Sequence, residues 1–186
     1  RTPVFTPDTA TLMDFRVDQS RGMHFIYLLP FSATEALVES TLFTPQREDE
    51  QFYLDAIDGY LKGHIGLDDY TVTHREAGVI PLGVMEQHDP DIAGICGNGG
   101  AIRPSSGYAF AFIQKQLDRA IADAGRHGLQ FGVPHQTIDL WMDAVLLRVL
   151  RHWPEQAPHL FLRMASALSG DEFARFLSGE ADWSLR

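Results

Sequence analysis

Apolar residues change their spacing several times along the chain, and each change predicts a change of secondary structure. Met13, Phe15 and Val17 alternate with Asp14 and Arg16, the period-two pattern of a half-buried strand over residues 11–17. Asp18-Gln19-Ser20-Arg21-Gly22 supplies turn chemistry. Residues 24–31 are almost continuously apolar, which predicts a strand buried on both faces. After Ser32-Ala33-Thr34, residues 36–44 form a third run rich in β-branched and aromatic side chains. Short turns between three such runs imply antiparallel pairing in a meander.

The period then lengthens. Phe52, Ala56 and Tyr60, with Leu54, Ile57 and Leu61, predict a helix over residues 47–63, with Glu48, Asp49 and Glu50 in its first turn and Gly63 as its stop. Alternation returns over residues 70–77 and predicts a strand, continued through 78–83 with a bend at Pro81; residues 87–91 are polar and read as a loop. An apolar lead-in, Ile92 to Cys96, meets the Gly-rich turn Gly97-Asn98-Gly99-Gly100, then Arg103-Pro104-Ser105-Ser106-Gly107-Tyr108, then a helix over 107–126 with Phe110, Ile113, Leu117 and Ile121 on its apolar face. Residues 125–134 connect to three further helices, 136–152, 155–168 and 171–178. Thr137 or Asp139 would cap the first, Pro158 falls in the opening turn of the second, and Ser169 with Glu172 spells a capping box for the third.

The order is strands, helix, strand, a strand–turn–helix unit and a helical tail. It predicts a mixed α/β (α+β) chain in three parts: an antiparallel sheet with one helix over 1–90, the strand–loop–helix unit over 91–130, and a helical segment over 131–186. Charge and composition narrow the function. A formal net charge of -10 with scattered basic residues gives nucleic-acid binding no electrostatic support. The single cysteine, Cys96, excludes an internal disulfide and a Cys-rich zinc site. The chain opens on Arg1 and reads like a polypeptide already in progress, so half of a site is expected upstream.

Candidate chemistry is concentrated in a few residues. Asp14 and Arg16 share a strand face, as an exposed ion pair or as an acid with its partner. Glu39 lies within Leu37-Val38-Glu39-Ser40-Thr41-Leu42. Turned toward apolar surroundings it would be an acid with a raised pKa; turned outward it would be a solvated surface group. Glu76 carries the same two readings. The eight histidines show no metal-ligand spacing on a helix, and no G-x-S-x-G elbow is present, so no metal site is expected. A Gly-rich turn ahead of a helix is the chemistry of a phosphate or cofactor cradle: Gly97, Gly99 and Gly100 let the backbone approach closely, and Pro104, Ser105, Ser106, Gly107 and Tyr108 lead into the helix start.

Several stretches together resemble the flavin-dependent lycopene cyclases of the β-cyclase type. They are Leu12-Met13-Asp14-Phe15-Arg16, the run from Phe25 to Ser32, Ala36-Leu37-Val38-Glu39-Ser40-Thr41, the loop from Gly97 to Phe110, and the tail with Leu146-Leu147-Arg148-Val149-Leu150, Pro154-Glu155, Pro158, Leu160-Phe161 and Arg175 to Gly179. The resemblance implies a partial FAD/NAD(P)-binding flavoprotein fold. An antiparallel sheet would cover the substrate, C-terminal helices would follow, and the N-terminal dinucleotide-binding part, with its G-x-G-x-x-G turn, is absent from these residues. It implies reduced FAD as cofactor with NAD(P)H as external reductant, and lycopene or a related acyclic carotenoid as substrate. It also implies a peripheral position on the cytoplasmic side of the inner membrane. Leu146, Leu147, Leu150, Trp153, Leu160 and Phe161, with Arg148, Arg151 and His152, would either form a membrane-facing helix pair or simply pack on the flavin domain. The reaction would be a proton-initiated, non-redox closure of β-ionone rings. Glu39 and Asp14 would be its acidic residues, and residues 97–108 would form the second flavin contact. The family's acidic motif is Phe-Leu-Glu-Glu-Thr in plants and of a Val-Glu-Asp-Thr type in many bacteria, whereas here Ser40 stands where the second acid is expected. The alternatives are a related FAD-dependent monooxygenase, a geranylgeranyl-reductase-like oxidoreductase, or a non-catalytic lipid-binding remnant.

Overall fold

The computed structural model describes residues 3–84 and 94–180. The expected loop at 87–91 and the apolar lead-in at Ile92 and Ala93 lie outside the described residues. The chain gathers into two compact units: the N-terminal residues to Gly78 with Pro154–Pro158, and Val79–Trp153 with the residues from His159 onward. Together they make a mixed α/β architecture, with a three-stranded antiparallel sheet and five α-helices among the described residues.

In the first unit, strands β1 (Thr11–Asp14), β2 (Met23–Ser32) and β3 (Glu35–Phe43) lie in the order β1-β2-β3. The meander read from the alternating runs is therefore present. β2 and β3 pair from Met23↔Phe43 to Pro30↔Ala36, and the register slips between Pro30 and Ser32, where a proline without an N–H interrupts the ladder. The first strand is shorter than its alternation predicts. Its register shifts between Thr11 and Asp14, with Met13 at φ 53°, and the Asp14 carboxylate then accepts the Arg16 backbone N–H at 3.1 Å. That local bond bends the chain out of the ladder.

Helix α1 (Glu50–Tyr60) starts where Asp49 accepts the Phe52 N–H at 2.9 Å. It runs past Gly63 through a π-helical turn, Leu61–Ile65, and stops at Gly66, whose φ of 73° supplies the left-handed cap. Ile26, Leu28 and Tyr60 form the core, with Val17, Val38 and Ile57 against them, so α1 covers one face of the sheet. β2 is buried from Met23 to Ile26 and at Leu28, but Phe31 at its end is 72% exposed, so burial on both faces does not extend the whole length expected.

Residues 66–82 form no strand, which corrects the reading of 70–77 and its continuation. A strand needs a partner for its ladder. Here Tyr70 Oη instead donates to Asp58 at 3.1 Å and Arg75 to Glu50 at 3.3 Å, so polar side chains tie the segment to α1.

In the second unit a 3-10 turn, Cys96–Gly99, precedes helix α2 (Phe110–His127). α2 begins three residues later than expected, because Gly107, at φ 74°, first closes a turn with its N–H on Arg103 O at 2.9 Å. Its buried face is Phe112, Gln116 and Ala120, while Phe110 and Ile121 of the expected apolar face are 77% and 68% exposed. Gln116 accounts for the rotation. Its amide accepts from Cys96 N at 2.9 Å and donates to Gly99 O at 2.8 Å and Gly132 O at 3.1 Å, so a polar residue is satisfied inside.

Helix α3 (Thr137–His152) has Gln136 at its N-cap with no side-chain cap, so neither Thr137 nor Asp139 serves there. Asp139 and Asp143, one turn apart, are both buried on it. Helix α4 (Ala157–Ala167) has Pro158 in its first turn. Helix α5 (Gly170–Leu177) carries the full Ser169–Glu172 capping box.

Candidate functional site

Residues paired across an antiparallel ladder point to the same face. Glu39 stands opposite Tyr27, Thr41 opposite Phe25, Leu37 opposite Leu29 and Phe43 opposite Met23. This face is the one α1 does not cover, and it is aromatic. Phe25 packs edge-on against Phe15 at 5.8 Å, Tyr27 at 5.2 Å and Phe43 at 5.6 Å between ring centroids. Glu39 is exposed upon it and accepts a hydrogen bond from Thr41 Oγ1 at 2.7 Å. Of the two orientations open to Glu39, the outward one holds, on a face lined by rings.

Asp14 is not part of this face. Its ladder partner is Ile26, and its carboxylate lies on the α1 side, where Tyr60 Oη donates to it at 2.8 Å. Arg16 grips the same carboxylate through Nε at 3.0 Å and a terminal nitrogen at 2.6 Å, and the Asp14 side chain is only 9% exposed. Burial pushes the Asp14 pKa up, but the bonds from Arg16 and Tyr60 outweigh it and hold the group at about 2. The ion pair anticipated between Asp14 and Arg16 is therefore real, whereas Asp14 and Glu39 are not brought together: the sheet separates them.

Ser40 also faces α1, and its Oγ meets His24 Nε2 at 2.8 Å. His24 is buried, stacks on Phe52 at 5.1 Å and donates through Nδ1 to Asp18 O at 3.0 Å. Its Nε2 is then the acceptor and the Ser40 hydroxyl the donor. Burial lowers the His24 pKa against the opposing pull of the Asp18 carbonyl, consistent with a neutral ring.

The stretch from Gly97 to Tyr108 forms one continuous loop in the second unit. A Cβ at Gly99 would lie 2.5 Å from Gly94 O and 2.9 Å from Gln116 Nε2; one at Gly97 would lie 3.0 Å from Ile102, and one at Gly100 3.2 Å from Val133. These glycines make room for the chain's own atoms. Gly107, at φ 74°, has Ile80 in the same role at 3.0 Å. Pro104 and Ser105 are buried. Asp143 of α3 holds the loop from below, accepting from Arg103 Nε and Ser105 Oγ, each at 2.7 Å, with Arg103 and Asp143 both buried. Arg103 N donates to Tyr108 O at 2.7 Å and closes the loop on itself. Ser106 and Tyr108 are half-buried, with Tyr108 N donating to Ser106 Oγ at 3.4 Å, next to an α2 N-terminus that no side chain caps and whose first turn has no acidic residue.

Sequence reasoning missed His24, Tyr60, Gln116 and Asp143. Only Asp139 and Asp143, one helical turn apart within Ile138-Asp139-Leu140-Trp141-Met142-Asp143, carried a readable signal of a buried acidic pair. Of the expected membrane-facing surface, Phe161 is buried and Leu146, Leu147, Leu150 and Leu160 are half-buried, while Trp153 is exposed. The exposed apolar residues of α3 are instead Trp141 and Val145. Among the described residues no helix is long and apolar enough to cross a membrane, and no group of three or more His, Cys, Asp or Glu could hold a metal ion.

An antiparallel sheet carrying Glu39 and a Gly-rich loop before a helix are elements that the sequence predicts. Comparison with known proteins agrees: residues 1–183 match the family model described as lycopene cyclase protein. The chain belongs to that family. It is 30% identical over 174 residues to a lycopene beta-cyclase of Pseudescherichia vulneris, covering 89% of this chain and 42% of that protein. It is 28% identical over 127 residues to a lycopene beta-cyclase of a Paracoccus species, covering 63% of this chain and 32% of that protein. The chain thus spans less than half the length of these relatives. No solved structure is significantly similar to it.

Proposed function

We propose that this chain supplies the substrate-facing sheet and one flavin contact of a lycopene cyclase that closes β-ionone rings on lycopene or a related acyclic carotene. The observation that carries this reading is Glu39 on the aromatic face of the sheet, across the ladder from Tyr27. Ring closure starts when a proton adds to a terminal C=C bond. The resulting carbocation is attacked by a nearby double bond, and loss of a proton from the ring restores neutrality, so the product is an isomer and no electrons are gained or lost. Glu39, protonated, is the donor, and Thr41 orients its carboxyl through Oε1. Tyr27, Phe15 and Phe43, packed around the buried Phe25, give an apolar wall whose π-density suits a cationic intermediate. Seating a polyene on that wall would remove water from around Glu39 and bring the terminal double bond against it. Asp14 is assigned a structural part, holding β1 to α1.

The residues of the Gly97–Tyr108 loop fit a flavin only at their C-terminal end, where the helix starts. The glycine positions are filled from within, and Ser105 is committed to Asp143. Ser106, Tyr108 and the uncapped α2 amides are the groups that would hold FAD. Reduced FAD, kept so by NAD(P)H, would supply negative charge density to the cyclisation. The FAD-binding turn would come from residues outside this chain. Trp141, Val145 and Trp153, with Arg148 and Arg151 on the same helix and its end, suit contact with an anionic bilayer from which the substrate is drawn, which supports reading the enzyme as peripheral at the inner membrane.

The test is expression of the full-length gene product in lycopene-accumulating cells. Cyclic carotenoids should form with the wild type and fall at least about a hundredfold with Glu39→Gln, the scale of a lost general acid. Unchanged ring closure in Glu39→Gln would remove Glu39 from the mechanism, whereas NAD(P)H oxidation coupled to a redox product in place of ring closure would replace this reading with an FAD-dependent oxidoreductase.

A further inference from the structure

Adjacent residues of a strand point to opposite faces of its sheet. β3 therefore separates the two positions at the heart of Val38-Glu39-Ser40-Thr41. Glu39 stands on the aromatic face opposite Tyr27, and Ser40 on the α1 face opposite Ile26. Ser40 is not idle there. Its hydroxyl meets His24 Nε2 at 2.8 Å, and the ring of His24 is fixed by Asp18 O at 3.0 Å and by Phe52 stacked at 5.1 Å. The His24 backbone is gripped as well: Gln19 Nε2 donates to His24 O at 2.6 Å, and His24 N donates to Gln19 Oε1 at 3.1 Å. The contact thus links the middle of β3 to β2 and to the turn before it, one residue away from Glu39.

We propose that ring closure on this sheet uses a single carboxylate, that of Glu39, and that Ser40 with His24 is a positioning pair which sets how β3 presents it. The proposal rests on the reading of Glu39 as proton donor. A carboxylate at position 40 would lie against a buried imidazole, on the far side of the sheet from the aromatic wall. It could act on His24 but not on a polyene bound beside Tyr27. An acid at that position and one at Glu39 are therefore not interchangeable, even though they are neighbours in sequence.

The test uses the full-length gene product, purified and assayed with lycopene in detergent. Glu39→Gln should lose at least about a hundredfold in kcat. Glu39→Gln/Ser40→Asp should stay within about threefold of Glu39→Gln, because moving the acid by one residue moves it through the sheet. Ser40→Ala should lower kcat by between about twofold and tenfold with KM unchanged, and Ser40→Thr, which keeps the hydroxyl, should recover it. Recovery of the double variant to within about tenfold of wild type would overturn the single-acid proposal. Should the double variant fail to fold, Ser40→Ala decides. A loss of more than about tenfold assigns position 40 a direct part in the chemistry, and no loss at all removes the positioning role; either overturns the proposal. If Glu39→Gln itself keeps full kcat, the underlying reading has failed, a result distinct from rescue by the double variant.

Discussion

One hydroxyl joins the first strand to the first helix. Tyr60 Oη donates to Asp14 Oδ2 at 2.8 Å, on a carboxylate already held by Arg16. Removing it in Tyr60→Phe leaves the ring packed and the acid less satisfied. The cost should be on the order of 1–2 kcal/mol in urea unfolding, with the Asp14 pKa moving up from about 2, readable by carboxyl NMR titration. An unchanged pKa would show that Arg16 alone sets it. The Asp14–Arg16 pair was legible because two residues apart on a strand is a readable spacing. Its third member was not, because Tyr60 is 46 residues away and nothing in a helical apolar stripe marks one of its members as a donor. Glu39 was legible as a candidate, but β2 is almost continuously apolar in sequence, and only the ladder register shows which of its rings share the Glu39 face. The opposite placement of Asp14 was not, because the bulge at Met13 resets which face each residue of β1 occupies.

Elements follow the same logic of partners. The alternation at 70–77 was sound as a pattern and wrong as a strand, since no ladder is offered to it and Tyr70 and Arg75 bind α1 through their side chains. The face of α2 was misread for a related reason: Gln116 looks like a surface residue until the loop it satisfies is in place. That loop also depends on α3. Asp143 accepts from both Arg103 and Ser105 at 2.7 Å, so Asp143→Leu leaves a buried guanidinium without its counter-charge. It should cost about 3–5 kcal/mol, whereas Arg103→Met/Asp143→Leu, which removes both charges, should cost clearly less. Urea unfolding of the two variants checks this, and equal losses would show that the pair contributes packing and not charge balance. Gly99→Ala should be as severe as the first of these, because its Cβ would meet Gly94 O at 2.5 Å, a backbone atom that cannot swing away. Thermal melts would show it; a melt like wild type would mean the loop shifts freely.

At the scale of the whole chain, among the described residues, each compact unit holds a histidine whose environment favours the neutral ring. His24 in the first is lowered by burial; His135 in the second is lowered by burial first and then by the Arg103 cation, with Phe112 packed on the ring at 4.4 Å. A histidine with a folded pKa below its ordinary 6.5 binds fewer protons in the native state than in the unfolded one across the interval between the two values. The sign follows: its contribution is fully favourable above pH 6.5, declines as pH falls below that value, and levels off once the folded group is also protonated. Acidification also relieves the repulsion of a chain with a formal net charge of -10, which acts in the opposite direction. The two effects separate in a variant. Wild type and His24→Gln share the charge relief, but only the wild type carries the His24 penalty. Urea midpoints at pH 7.5 and pH 5 should therefore fall further in wild type than in His24→Gln, and the same comparison with His135→Gln should report the second unit. If a variant loses as much as wild type on acidification, the replaced histidine titrates alike in the folded and unfolded chain, and the lowered pKa assigned to that unit is wrong.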